Sequence, residues 1–176
     1  MIISQMATHL ATAGAPPDTL HASTPDLERF RQFQRRGSPG PHAYVVLLGL
    51  DAFDAPDLLR TVKRGFSYRA IERFQRNTSL SFERIMVLID VPRRTLTRRK
   101  RDGRLLPDES DRLLRASRLF GRALELFEGN RDAASEWLST AQPALGGAVP
   151  LDLARTDVGV REVETLVGRL EQGIFP

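Results

Sequence analysis

Cysteine is absent from this sequence, and that one absence excludes a disulfide framework, a thiolate metal site, a cysteine nucleophile and a thiol redox switch. Nothing calls for an oxidising compartment. Histidine is nearly absent as well. His9, His21 and His42 all fall in the first 42 residues, which leaves no imidazole for a catalytic dyad or a His-based metal site in the remainder. The carboxylates there alternate with arginines at helical i, i+4 spacing, where ion pairing accounts for them better than acid–base chemistry does. No enzyme, cofactor or metal centre is therefore expected. Long hydrophobic runs are missing too: nothing approaches the roughly 18 uninterrupted apolar residues of a membrane span. The opening MIISQMATHLATAG has no positive region ahead of its short apolar run, so a cytoplasmic protein is expected.

What is present is an ordinary globular composition, 41% hydrophobic and 27% charged over 176 residues, enough for one large domain or two small ones. The net charge is only +4, but its distribution is uneven. Residues 60–104 hold 14 Lys or Arg against 4 acids, net +10, whereas residues 1–59 are net −2 and residues 105–176 are net −4. A single basic segment between acidic flanks is the footprint of a polyanion-binding module.

Glycine and proline punctuate residues 1–42, which are expected to form a weakly structured extension with at most one short helix near residues 25–35. The run AYVVLLGLDAF, residues 43–53, reads as helix or extended lead-in, though its periodicity alone does not separate a short strand from a buried helix. Asp54 and Pro56 open a helix that stops at Gly65, Ser67 caps the next, and Ser81 opens a third with Phe82, Ile85, Met86 and Ile89 at i, i+3, i+4, i+7. Past Gly103 the composition turns acidic. Pro107 and Asp108 mark a fresh helix start and a domain boundary, giving a basic unit over 43–105 and an acidic one over 106–176. The acidic unit holds a helix over 109–128 closed by Gly129, a shorter one with Trp137 and Leu138, a glycine-bearing loop to Pro150, and a last helix ending at Gly173. The fold class is all-α.

The stretch FERIMVLIDVPRRTLTRRKRDG, residues 82–103, resembles a DNA-binding helix-turn-helix. Ile85 and Ile89 are placed to pack on Leu96, with Val91 plugging the corner. The corner itself, commonly glycine, is Asp90, a residue that tolerates the left-handed backbone better than most. Met86 stands where a small residue is usual. Helical rotation of about 100° per residue from Leu96 turns Arg94 and Arg98 outward, with Thr97 and Arg101 on the flank. Arg93 and Arg94 are set to reach phosphates and Arg98 to fork onto guanine. Arg99 and Lys100 point nearer the core, with their stems on apolar surface and their charges in water.

In the acidic unit, Phe127 with Gly129, Ala133 and Ala134 ahead of Trp137-Leu138, and Ala144-Leu145-Gly146-Gly147 leading to Pro150-Leu151-Asp152-Leu153 form an ordered set. Thr156, Gly159, Val163 and Arg169-Leu170-Glu171-Gln172-Gly173 complete it. Together with the helix-turn-helix, this set resembles the Xre-type antitoxins, the family that includes MbcA and ParS, over residues 60–176. Membership implies an antitoxin that binds a RES-domain, NAD-consuming toxin and represses its own operon at operator DNA. A homodimer is expected. The alternative is a stand-alone regulator whose C-terminal part only dimerises. Arg169, Glu171, Gly173, Ile174, Phe175 and Pro176 are the expected toxin-binding residues, because the tail after Gly173 is apolar and needs a partner to cover it.

Overall fold

The computed structural model describes residues 23–174, and the expectations placed on His9, His21, Phe175 and Pro176 lie outside them. The expected all-α architecture is observed. Nine α-helices occur among the described residues: α1 (Pro25–Arg36), α2 (Ala55–Arg64), α3 (Arg69–Thr78), α4 (Phe82–Leu88), α5 (Arg93–Asp102), α6 (Pro107–Leu126), α7 (Arg131–Ser139), α8 (Pro150–Leu153) and α9 (Asp157–Glu171). Two 3-10 helices, Ala43–Leu48 and Pro143–Leu145, complete the set. Sheet structure in this region is limited to two isolated bridges, Ser67 with Arg104 and Gln142 with Ala148.

Short polar side chains start most of the helices by accepting an otherwise unpaired N–H. Asp54 accepts from the Asp57 N–H at 2.9 Å, Ser81 from Arg84 at 3.2 Å, Asn130 from Ala133 at 3.1 Å and Thr156 from Gly159 at 3.0 Å. Ser67 departs from its expected role. The helix begins one residue later, after Tyr68, and the Ser67 hydroxyl reaches the Arg69 N–H only at 3.4 Å.

The apolar run over residues 43–48 folds as a 3-10 helix in which Val45, Val46, Leu47 and Leu48 are all buried. It meets α1 on one side and α3 and α6 on others, so every face is covered and no period of two or of 3.6 is needed. Helix α1 is tied to it through Asn77, whose amide donates to Leu47 O at 2.8 Å and to Asp26 Oδ2 at 3.1 Å.

Helix α6 is the spine, meeting α2, α3, α4, α7, α9 and the first 3-10 helix. The main hydrophobic core runs from Leu27 to Leu170, beside a small cluster of Val45, Ala52 and Leu58, so the basic and acidic segments share one interior. Close neighbours demand glycine at several points, among them Gly65, where a Cβ would lie 2.1 Å from Leu105 O. A Cβ at Gly121 would lie 2.8 Å from Tyr44 Cβ, and one at Gly159 would lie 2.0 Å from Leu153 O, where α8 turns into α9. Among the described residues no helix is long and apolar enough to cross a membrane.

Candidate nucleic-acid and partner interfaces

Helices α4 and α5 form the helix-turn-helix as the apolar spacing implies. Ile85, Ile89, Val91 and Leu96 are all buried in the common core. Asp90 adopts φ +51°, the left-handed conformation required of the corner, while the Val91 N–H returns to Met86 O at 3.1 Å. Met86 is half-buried at the edge of the core, where its size is accommodated.

On α5, Arg93, Arg94, Thr97, Arg98 and Arg101 are exposed. Arg94, Thr97, Arg98 and Arg101, with Thr95, line one open depression. No carboxylate among the described residues pairs with Arg93, Arg94 or Arg98, and Arg101 has only a solvent-exposed contact to neighbouring Asp102 at 3.5 Å. The helix dipole sharpens the anomaly. Each of the other eight α-helices among the described residues carries an acid in its first turn, matching the positive N-terminal end. In α5 that turn holds no acid and begins with Arg93 and Arg94.

Arg99 corrects one expectation. Its charge does not lie in water: the side chain is only 10% exposed, and Nε donates to Glu109 Oε2 at 2.8 Å and Oε1 at 3.0 Å. The guanidinium is held above its ordinary pKa, chiefly by those bonds. Lys100 remains exposed as expected, with Nζ 3.7 Å from Glu72 and 5.8 Å from the centre of the Tyr68 ring.

Three contacts that no local sequence pattern signals fasten the helix-turn-helix to later helices. Arg112 Nε of α6 donates to Ile89 O at 2.5 Å, Arg84 pairs with Asp152 of α8 at 3.0 Å, and Arg155 lies 3.8 Å from Asp90. Each joins residues more than twenty positions apart, beyond the reach of helical spacing rules.

At the far end, Val163, Val167 and Leu170 of α9 face the core. Gly173, at φ +72°, ends the helix, and the Ile174 N–H returns to Arg169 O at 2.9 Å. Arg169 and Ile174 are exposed, Ile174 by 53%. Arg169 has no carboxylate partner among the described residues. Glu171 is not free in the same way, since it accepts from Arg122 Nη2 at 2.8 Å, anchoring the end of α9 to α6.

Residues 57–118 match the family described as the antitoxin Xre-like helix-turn-helix domain, and residues 122–173 match the antitoxin Xre/MbcA/ParS C-terminal toxin-binding domain. Antitoxin Xre of Yersinia enterocolitica is 38% identical over 129 residues, covering 73% of this chain and 87% of that protein. The chain belongs to the Xre antitoxin family. Antitoxin Xre of Photorhabdus laumondii is 27% identical over 128 residues, with 72% and 86% covered. The Prs ADP-ribosylating antitoxin of Sphingobium is 27% identical over 154 residues, with 82% and 94% covered. As an Xre antitoxin, the chain is a toxin-binding component of a toxin–antitoxin system, built with a helix-turn-helix, and not an enzyme.

Proposed function

We propose that this antitoxin neutralises a RES-domain, NAD-consuming toxin and represses its own operon by binding operator DNA as a homodimer. The observation that carries the DNA reading is the first turn of α5, where two exposed arginines take the place that acids hold in every other α-helix among the described residues. Cations at a positive helix end are unfavourable in isolation and favourable once polyanion phosphates approach. Arg94 and Arg98 then reach base edges, Arg93 grips phosphate, and Thr97 and Arg101 flank them. The toxin reading is supported by the match to a toxin-binding domain. Its NAD chemistry is supported by the relative named for ADP-ribosylation, a transfer that consumes NAD. Arg169, Glu171, Gly173, Ile174, Phe175 and Pro176 are assigned to the toxin contact. Function divides near Leu106, with 43–105 meeting DNA and 106–176 meeting toxin, although one core serves both.

Co-expression with the product of the neighbouring reading frame, followed by affinity capture and sizing, tests the toxin reading. A stable complex that lacks NAD-consuming activity is expected. A neighbouring product with no NAD-dependent activity when expressed alone overturns the RES assignment.

A further inference from the structure

The exposed cations are not confined to the outward face of α5. At its C-terminal end three elements converge: the Tyr68 N–H donates to Gly103 O at 3.0 Å and the Leu105 N–H to Phe66 O at 2.8 Å, while Ser67 and Arg104 form a bridge. Arg104 Nη1 donates to Arg64 O at 3.1 Å and Gly65 O at 2.7 Å, closing the last carbonyls of α2 and holding that helix end beside α5. Lys63, Arg64 and Arg69 are thereby gathered next to Arg101 and Arg104, all exposed. Among the described residues no carboxylate pairs with Lys63, Arg64 or Arg69, and the nearby Glu72 is already answered by Lys100.

We propose that this junction, Lys63 and Arg64 of α2 with Arg69 of α3, grips duplex phosphates on the side of the groove opposite Arg93. Helix α5, with 10 residues, is about 15 Å long, and the major groove is about 12 Å wide. Laid across the groove, the helix brings its two ends to the two backbone walls. Arg93 serves one wall and the junction serves the other, with Arg104 as a positioning residue. The inference rests on the DNA reading above.

The test is a salt titration of the full-length protein on two duplexes, one from upstream of its own reading frame and one scrambled to the same length and composition. The variant is Lys63→Gln/Arg64→Gln/Arg69→Gln, and the control is Arg35→Gln/Arg36→Gln. The control cations close α1, which Arg31 ties to Gly129 past the C-terminal end of α6, whereas the junction lies at the N-terminal end of that helix. The slope of log affinity against log salt is expected to shrink by about 0.9 per lost phosphate contact in the triple variant, and to hold in the control. Affinity for both duplexes should fall about tenfold or more at physiological salt, with their ratio unchanged. A parental slope in the triple variant overturns the proposal, as does an equal change in the control, which would make the effect one of overall charge. If the triple variant does not melt like the parent, Arg69→Gln alone must still lower the slope by about 0.9. A parent protein that binds neither duplex overturns the DNA reading itself and this inference with it.

Discussion

Arg99 of α5 and Glu109 of α6 form a buried ion pair in which one guanidinium Nε reaches both carboxylate oxygens, at 2.8 and 3.0 Å. The same carboxylate also accepts the Leu106 N–H at 2.8 Å, which closes the start of α6. The orientation of the proposed DNA-reading helix is thus set by the long helix that supports the toxin-binding half. Burial makes the pair all-or-nothing, because removing one partner strands the other charge without solvent.

Arg99→Ala and Glu109→Ala are each expected to destabilise the fold by about 3–5 kcal/mol, read from denaturant midpoints. Arg99→Met combined with Glu109→Leu should recover most of that loss, since apolar replacement of both partners leaves no buried charge. Singles that unfold at the parental midpoint would show that the pair is open to water.

Much of this architecture is legible from residue chemistry. Asp54, Ser81 and Gly65 mark helix ends because caps and left-handed residues act locally, and Asp90 is readable as the corner for the same reason. The Arg99–Glu109 pair is not readable, because its partners sit on different helices across the turn at Gly103 and no spacing rule links them. Composition places arginine charge in water, and only tertiary packing reverses that here. The run Val45 to Leu48 defeats periodicity for a related physical reason: α1, α3 and α6 enclose it from several directions, so no face is left polar.

For the exposed face of α5, Arg94→Ala and Arg98→Ala should each weaken operator binding by about 1–3 kcal/mol and narrow the preference for operator over scrambled DNA. Lys100→Ala should do less, as its ammonium is engaged by Glu72 and the Tyr68 ring. Fluorescence anisotropy on both duplexes measures this. Equal losses on both would assign Arg94 and Arg98 to phosphate rather than base contacts.

The proposed division of function near Leu106 crosses a shared core, so separation is better achieved by substitution than by cutting. Phe120 of α6 meets Phe74 of α3 edge-on, with ring centres 6.2 Å apart, and a fragment of residues 106–176 lacks that partner. Such a fragment is expected to melt well below the full chain in circular dichroism. The full-length Arg94→Ala/Arg98→Ala variant should retain toxin and lose operator. A cooperative, parental melt of the fragment would show that the acidic segment has a sufficient core of its own.

Gly159→Ala tests the α8–α9 corner. Its Cβ would stand 2.0 Å from Leu153 O, a backbone atom that moves only if the turn opens, and overpacking of this kind costs about 1–3 kcal/mol. The melting temperature and toxin affinity should fall together. Gly168→Ala is the matched control, because a Cβ there meets nothing within 4 Å, and it should melt at or above the parental temperature.

The last turn of α9 offers a test that separates the proposed toxin contact from folding. Helix α9 is closed at Gly173 by the Ile174 N–H on Arg169 O, and the salt bridge from Glu171 to Arg122 anchors that end to α6. The Ile174 side chain stands outside this arrangement, and the residue is 53% exposed. An apolar residue at a helix end, beside an exposed Arg169 with no carboxylate partner among the described residues, fits a contact that a protein partner covers. Deleting residues 174–176 should therefore leave the melting temperature and DNA binding near parental values while costing at least about 2 kcal/mol of toxin affinity, the level of a hot spot. Glu171→Gln should differ by also lowering the melting temperature slightly through the lost pair with Arg122, because an ion pair this exposed contributes no more than about 1 kcal/mol. A lower melt with toxin neutralisation retained in the truncated protein would assign the tail to stability alone.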